Sequence, residues 1–297
     1  MNSSNVNALS SSTRKEAVYD AVVVGAGFAG LYMLYRLREL GMSTLVYDDG
    51  DDVGGTWFWN RYPGARCDTE SHYYCYSFSK ELLQDWNWPE RYSAQPDIHR
   101  YFQHLADRFD LRRHIQFNTR VESAVFDEVD NRWRIATGEG ERVCAKYFIT
   151  GTGLMSATYT PNFKGMSSFG GLAYHTARWP HEPVDFSGKR VAVIGTGSTG
   201  VSVIPSIAKQ AKQLTVFQRT PNFVTPARNR PNQTEHLQQI KENYDEIWRK
   251  TQTNFFGLAY EPTQKKALDV SPEERRQRYE AAWAEGDLAL CSMRSMT

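Results

Sequence analysis

No apolar run in this 297-residue chain approaches the ~20 residues needed to cross a membrane as a helix. Charge of one sign is also missing. Lysine and arginine number 35 and aspartate and glutamate 34, and the formal net charge of +1 gives no reason to expect nucleic acid or an anionic membrane surface as a partner. Cysteine is scarce. Cys67, Cys75, Cys144 and Cys291 form no C-x-x-C pair, which argues against a disulfide framework and a dithiol redox centre; free thiols in a reducing, cytoplasmic setting are expected. The seven histidines show no H-x-x-x-H or H-x-H spacing, so no metal site is expected. The opening MNSSNVNALSSSTRK lacks the apolar stretch of a secretion signal and reads as a disordered tail over residues 1–15. Nothing in the composition sets an oligomeric state.

What the chain does have is two glycine-rich turns 170 residues apart. In AVVVGAGFAG the apolar run Ala21–Val24 reads as a buried parallel strand, and Gly25, Gly27 and Gly30 complete a G-x-G-x-x-G pattern. Leu31, Leu34 and Leu37 recur at helical spacing, Gly41 is the expected helix stop, and TLVY (Thr44–Tyr47) is the next strand. Such a unit brings a pyrophosphate against a helix N-terminus, where N–H groups and the positive end of the dipole meet it; the glycines allow the tight turn and the close approach. Asp48, 23 residues after Gly25, is placed to accept hydrogen bonds from ribose hydroxyls.

KRVAVIGTGSTG repeats the arrangement, with strand Val191–Ile194, Gly195, Gly197 and Gly200, the helical stretch VSVIPSIAKQ and the strand LTVFQ. Its ending differs. Arg219 lies 24 residues after Gly195, and a guanidinium there suits a ribose 2′-phosphate that a carboxylate would repel. This half is expected to select NADP over NAD; the alternative is a solvated charge at a strand end. Together the two turns point to flavin and nicotinamide on one polypeptide.

GGTWFWNRYPGARCD, from Gly54 to Asp68, stands where a disulfide reductase carries its redox cysteine pair, and Trp57 and its neighbours take that place. Farther on, Trp86, Trp88, Tyr92, Tyr101 and Phe102 read as packing rather than as a site. Between the two turns lies FGGLAYHTARWP, from Phe169 to Pro180.

On these residues the chain resembles the type I Baeyer–Villiger monooxygenases. Their hallmark, F-x-G-x-x-x-H-x-x-x-W-[P/D], is matched by Phe169, Gly171, His175, Trp179 and Pro180, and a second pattern by Gly54, Gly55, Trp57, Tyr62, Pro63, Gly64 and Asp68. The similarity runs from about Tyr19 to the region of Glu285. The fold it implies is α/β, with two Rossmann-like dinucleotide-binding domains for FAD and NADP and a partial helical insertion, both domains incomplete at the C-terminus.

The resemblance implies that NADPH reduces FAD, that the reduced flavin reacts with O2, and that a flavin peroxide converts a small-molecule ketone to an ester or lactone. Around FAD it implies Gly25, Gly27, Phe28, Ala29, Gly30, Asp48, Thr56, Trp57, Asp68 and Tyr74, with the backbone of Val121 at the adenine. Arg66 and Asp68 face the nicotinamide end of NADP, while Gly195, Thr196, Gly197, Ser198, Thr199, Gly200, Arg219 and Thr220 hold its phosphates. Asp68 is expected to orient a catalytic arginine situated beyond residue 297; the alternative is a carboxylate bonded to backbone in a turn. His175 is expected to hinge or anchor the domains rather than transfer a proton. The Trp179-Pro180 ending disfavours a related N- or S-oxygenase.

Residues 16–150 are expected to form the first FAD-binding segment, 151–187 a linker with the hallmark, 188–223 the first NADP-binding segment and 224–297 a partial helical region. In the last, Leu237, Ile240, Tyr244, Ile247 and Trp248 share one helical face, and Ser271-Pro272-Glu273-Glu274 opens a helix that Gly286 stops. Family members continue past this point, and the closing LALCSMRSMT does not resemble their continuation. The sequence therefore predicts a truncated product: either the N-terminal portion of a ketone monooxygenase or a catalytically silent cofactor-binding fragment.

Arg219 gives the first test. Arg219→Ala should weaken NADPH binding relative to NADH binding by about 1.5–3 kcal/mol, the worth of one charge-assisted contact. Titration with both nucleotides checks it, and equal loss with both would contradict the assignment.

Overall fold

The computed structural model describes residues 16–253, 257–258 and 268–286; the expected tail over 1–15, Cys291 and the closing LALCSMRSMT lie outside the described residues. Along the chain, β1 (Ala17–Val24), α1 (Phe28–Glu39) and β2 (Thr44–Tyr47) are followed by α2 (Thr56–Trp59), α3 (Lys80–Asp85) and α4 (Gln95–Arg108). Next come β3 (Ile115–Gln116), β4 (Val121–Asp127), β5 (Arg132–Thr137) and β6 (Arg142–Thr150). Strand β7 (Arg190–Ile194), α5 (Ser198–Ala208) and β8 (Gln213–Phe217) precede α6 (Thr234–Glu242), α7 (Tyr244–Thr251) and α8 (Pro272–Glu285). The class is α/β. Two compact units divide the chain, one of residues 1–55 and 106–156, the other of 56–105 and 157–297.

The first unit is a six-stranded sheet in the order β3-β2-β1-β6-β5-β4. Strands β3, β2, β1 and β6 run parallel, and β5 and β4 are added antiparallel. Strand β1 starts at Ala17, earlier than its apolar run, because Ala17, Val18 and Tyr19 pair with Val143, Cys144 and Ala145 of β6. Helix α1 buries Leu31, Leu34 and Leu37, and Gly41 takes a φ of +72° just past its end, the left-handed geometry a helix stop requires. Val22, Tyr47, Ile135, Val143 and Ala145 form a core beneath Trp133 and Phe148, whose ring centroids lie 5.4 Å apart.

In the second unit β7 and β8 pair in parallel, Arg190 to Ile194 against Gln213 to Phe217, with α5 connecting them. Val203 and Ile207 of α5 pack with Phe186, and half-buried Tyr62 and Trp179 join that cluster. Ile194 and Phe217 remain 66% and 56% exposed, so this two-stranded sheet buries its apolar side chains only in part. Trp88, Tyr92, Tyr101 and Phe102 are buried, and Tyr76 N donates to Tyr101 Oη at 2.9 Å. The helical face expected over 237–248 is divided between α6 and α7, where Asn243 folds its amide back onto Gln239 O. Ile240, Tyr244, Ile247 and Trp248 nonetheless pack together against Leu83. Helix α8 begins and ends as expected: Ser271 Oγ accepts from Glu274 N at 3.1 Å, and Gly286 has a φ of +70°. Among the described residues no helix is long and apolar enough to cross a membrane.

A buried ion cluster sits in the same unit. Arg91 Nε donates to Glu70, and His72 Nε2 lies 3.7 Å from the same carboxylate. Arg91 already engages Glu70, so burial dominates at His72 and pushes its imidazole down to about 4, with His236 and Arg91 adding repulsion. The unfolded chain, with an ordinary histidine near 6.5, then binds the extra proton first, so this contribution to stability is present above pH 6.5 and lost as pH falls towards 4. His72→Gln should flatten the pH dependence of the denaturation midpoint between pH 7 and 5, a difference of about 2 kcal/mol.

Candidate functional site

At the first glycine turn, backbone rests on backbone. A side chain on Gly25 would come within 2.5 Å of Gly151 O, one on Gly30 would overlap Gly25 O, and one on Gly55 would meet Gly27 Cα at 2.9 Å. Helix α1 starts at Phe28 with Gly27 as its N-cap and no side-chain hydrogen bond from that cap, a helix start of the kind that receives an anion. Asp48 closes the turn. Its carboxylate accepts from Ala26 N at 2.5 Å and Gly50 N at 2.8 Å; burial pushes its proton affinity up while those two amides pull it down. Asp48 O accepts from Thr119 N at 2.9 Å, bringing the chain towards Val121, where β4 opens on a register shift between Val121 and Ser123. Cradle, amides and acid together fit a dinucleotide.

The second turn has the same construction and a more open face. A side chain on Gly200 would come 2.5 Å from Gly195 O, whereas Gly195 and Gly197 have nothing within 4 Å of theirs. Gly197 caps α5 without a side-chain bond, and Ser198 and Thr199 open the helix. Gln218 Nε2 donates to Thr196 Oγ1 at 3.0 Å and Asn222 Nδ2 to Thr196 O at 2.7 Å, tying the end of β8 to the turn. Arg219 and Thr220 lie on that tied segment and are exposed; among the described residues Arg219 has no ion pair. An unbalanced guanidinium beside bare helix amides suits a phosphate.

The second unit also assembles Thr56, Trp57, Arg66, Asp68, Tyr74 and the hallmark. Trp57 Nε1 donates to Tyr74 Oη at 3.1 Å with the rings edge to face, and Gln95 Nε2 donates to Trp57 O at 2.5 Å. Burial pushes the Tyr74 phenol up to about 12, which keeps it neutral. Asp68 is exposed and accepts no hydrogen bond among the described residues, unlike a carboxylate that serves a turn. In the hallmark, the Phe169 ring folds over Gly171, where any side chain would overlap it. His175 uses both nitrogens on backbone: Nδ1 accepts from Ala177 N at 3.2 Å, which leaves Nε2 to donate to Tyr159 O at 3.2 Å. It thereby caps a 3-10 turn, Thr176–Arg178, after which Trp179 stacks towards Tyr174 and Phe186 and Pro180 follows. Arg178 lies 4.3 Å over the Trp59 ring, and Arg61 Nη1 donates to His181 Nδ1 at 3.0 Å, joining hallmark to α2.

A family model described as FMO-like, flavin-binding monooxygenase-like, matches residues 19–232. The chain belongs to this family. It is 49% identical over 271 residues to a Baeyer-Villiger monooxygenase of Pseudooceanicola batsensis, an alignment covering 91% of this chain and 50% of that protein. It is 43% identical over 270 residues to a phenazine N-monooxygenase of Lysobacter antibioticus, covering 91% and 50%. Among solved structures, oxidised steroid monooxygenase bound to NADP superposes with a TM-score of 0.89 at 50% identity, covering 93% of this chain and 53% of that one. The chain thus spans about half the length of the curated relatives it matches. Similarity at this level also reaches a protein named for oxidation at nitrogen.

Two contacts of this flavin-binding monooxygenase-like chain carry no signal in its sequence. Arg66 is held by Glu90, itself bonded to Asn229. Gly64 faces α5: its φ is +81°, and a side chain there would overlap Ser202 O and Ser206 Oγ. The glycine of the 54–68 pattern is therefore set by the helix of the second turn. Gly64→Ala should cost about 2–4 kcal/mol through strain and overpacking. Gly41→Ala, at φ +72° but in open space, should cost only about 1 kcal/mol in the same denaturation experiment.

Proposed function

We propose that this chain is the cofactor-binding part of a flavin-dependent Baeyer–Villiger monooxygenase that uses NADPH and O2 to convert small-molecule ketones to esters or lactones. The observation that carries the reading is the pair of glycine turns on one chain, the first closed by the Asp48 carboxylate and the second beside the unbalanced Arg219 guanidinium. The matched patterns, and the relative named Baeyer-Villiger monooxygenase, support the reaction class. FAD, once reduced by NADPH, supplies reactivity towards O2 that side chains lack.

The chain's own residues bind and orient. The helix start at Phe28, Ala29 and Gly30 receives the FAD pyrophosphate against Gly25 and Gly27, Asp48 takes the ribose, and Val121 backbone the adenine. Thr56, Trp57 and Tyr74 border the flavin, and Arg66 and Asp68 face the nicotinamide. Gly195, Thr196, Gly197, Ser198, Thr199 and Gly200 take the NADP pyrophosphate, with Arg219 and Thr220 at the 2′-phosphate. His175, both nitrogens committed to backbone, anchors the hallmark turn and moves no proton. Residues 16–150 and 188–223 serve as the FAD and NADP segments, 151–187 links them, and 224–297 is the helical region. A cytoplasmic location belongs to the same reading, in keeping with the free Cys67, Cys75 and Cys144.

A second reading, cofactor binding without turnover, is favoured by the exposed Ile194 and Phe217 on a two-stranded sheet. The test incubates the chain with FAD, NADPH, 18O2 and a panel of cyclic and aryl ketones, with a phenazine included. An ester or lactone carrying one 18O atom, lost in Gly27→Ala, is the expected result. Retained flavin without product supports the second reading, N-oxide alone moves the reaction to nitrogen, and failure to retain flavin overturns the proposal.

A further inference from the structure

Arg66 is fixed at both backbone and side chain. Gln95 N donates to Ala65 O at 2.9 Å and Cys67 N to Ser93 O at 3.1 Å, so the main chain of Arg66 bridges Ala94 between two hydrogen bonds. Its Nη1 donates to the Glu90 carboxylate and to Tyr92 O. The same Glu90 oxygen accepts from Asn229 Nδ2 at 2.9 Å, and Asn229 Oδ1 accepts from Tyr92 N at 2.9 Å. Partial burial acts to raise the Glu90 carboxyl, but its bonds from Arg66 and Asn229 outweigh that and hold it below the ordinary range, anionic at neutral pH.

An ion pair whose side chains are 34% and 33% exposed contributes little to folding. Its value lies in what Arg66 meets. A nicotinamide ring carries a positive charge when oxidised and none when reduced, so a bare guanidinium facing it penalises the oxidised form alone. A guanidinium already balanced by a carboxylate imposes no such penalty.

We propose that Glu90 is a positioning residue that aims Arg66 and balances its charge, so that the site accepts the oxidised nicotinamide as readily as the reduced one. The inference rests on the reading that Arg66 faces the nicotinamide end of NADP.

The test titrates NADP+ and NADPH separately against the FAD-loaded full chain by calorimetry. Glu90→Gln should raise the ratio of the NADP+ to the NADPH Kd by about threefold or more. Asn229→Ala, which removes the amide that holds the carboxylate together with the acceptor for Tyr92 N, should move the ratio the same way by less. Arg66→Gln leaves Glu90 unopposed and should lower it; the double variant Arg66→Gln with Glu90→Gln should return it to the starting value. A structural role weakens both forms alike, so an unchanged ratio in Glu90→Gln, with Arg66→Gln still altering binding, overturns the proposal. Arg66→Gln that alters neither affinity instead removes the reading of Arg66 on which it rests.

Discussion

Main chain lying directly against main chain is the constraint on which the first unit depends. Gly25 abuts the Gly151 carbonyl at the end of β6, Gly30 abuts the Gly25 carbonyl, and Gly27 abuts Gly55 beyond β2. Three segments are thereby drawn to one point above the ends of parallel strands, where α/β sheets hold ligands. Asp48 completes the closure by bonding the amides of Ala26 and Gly50, so the acid organises the turn.

The two turns share this frame and differ in charge. The first ends in a buried carboxylate already engaged with backbone; the second ends in an exposed guanidinium on a strand end tied to the turn by Gln218 and Asn222. In the proposed reading, rigid backbone geometry provides for a dinucleotide, and one side chain after the second strand selects which. Such a division lets cofactor choice vary without disturbing the turn.

Both βαβ units were legible because their signals are local. Ala21–Val24, the leucines of α1, Gly41, the Ser271 cap and Gly286 each act through neighbours a few residues away. The hallmark and the 54–68 pattern were legible as strings, yet their physical content was not: that Phe169 covers Gly171, that His175 caps a turn and that Arg178 sits on Trp59 depend on folding in three dimensions. The break at Asn243 went unread because a continuous apolar face spans it, and an asparagine carries no strong stop signal inside a helical pattern. Glu90 lay in an aromatic-rich stretch that reads as packing, 24 residues from the arginine it holds.

The contact between Gly64 and α5 bears on how these proteins can be recombined. Three patterns far apart in sequence meet there, since Tyr62, Trp179 and the α5 residues Val203 and Ile207 share one cluster beside that glycine. A chimera that exchanges residues 188–223 with a relative also exchanges the surface against which 62–64 is fitted. Crossovers placed between these segments split a matched pair, so the second glycine turn is inherited as a module only together with the stretch that precedes Arg66.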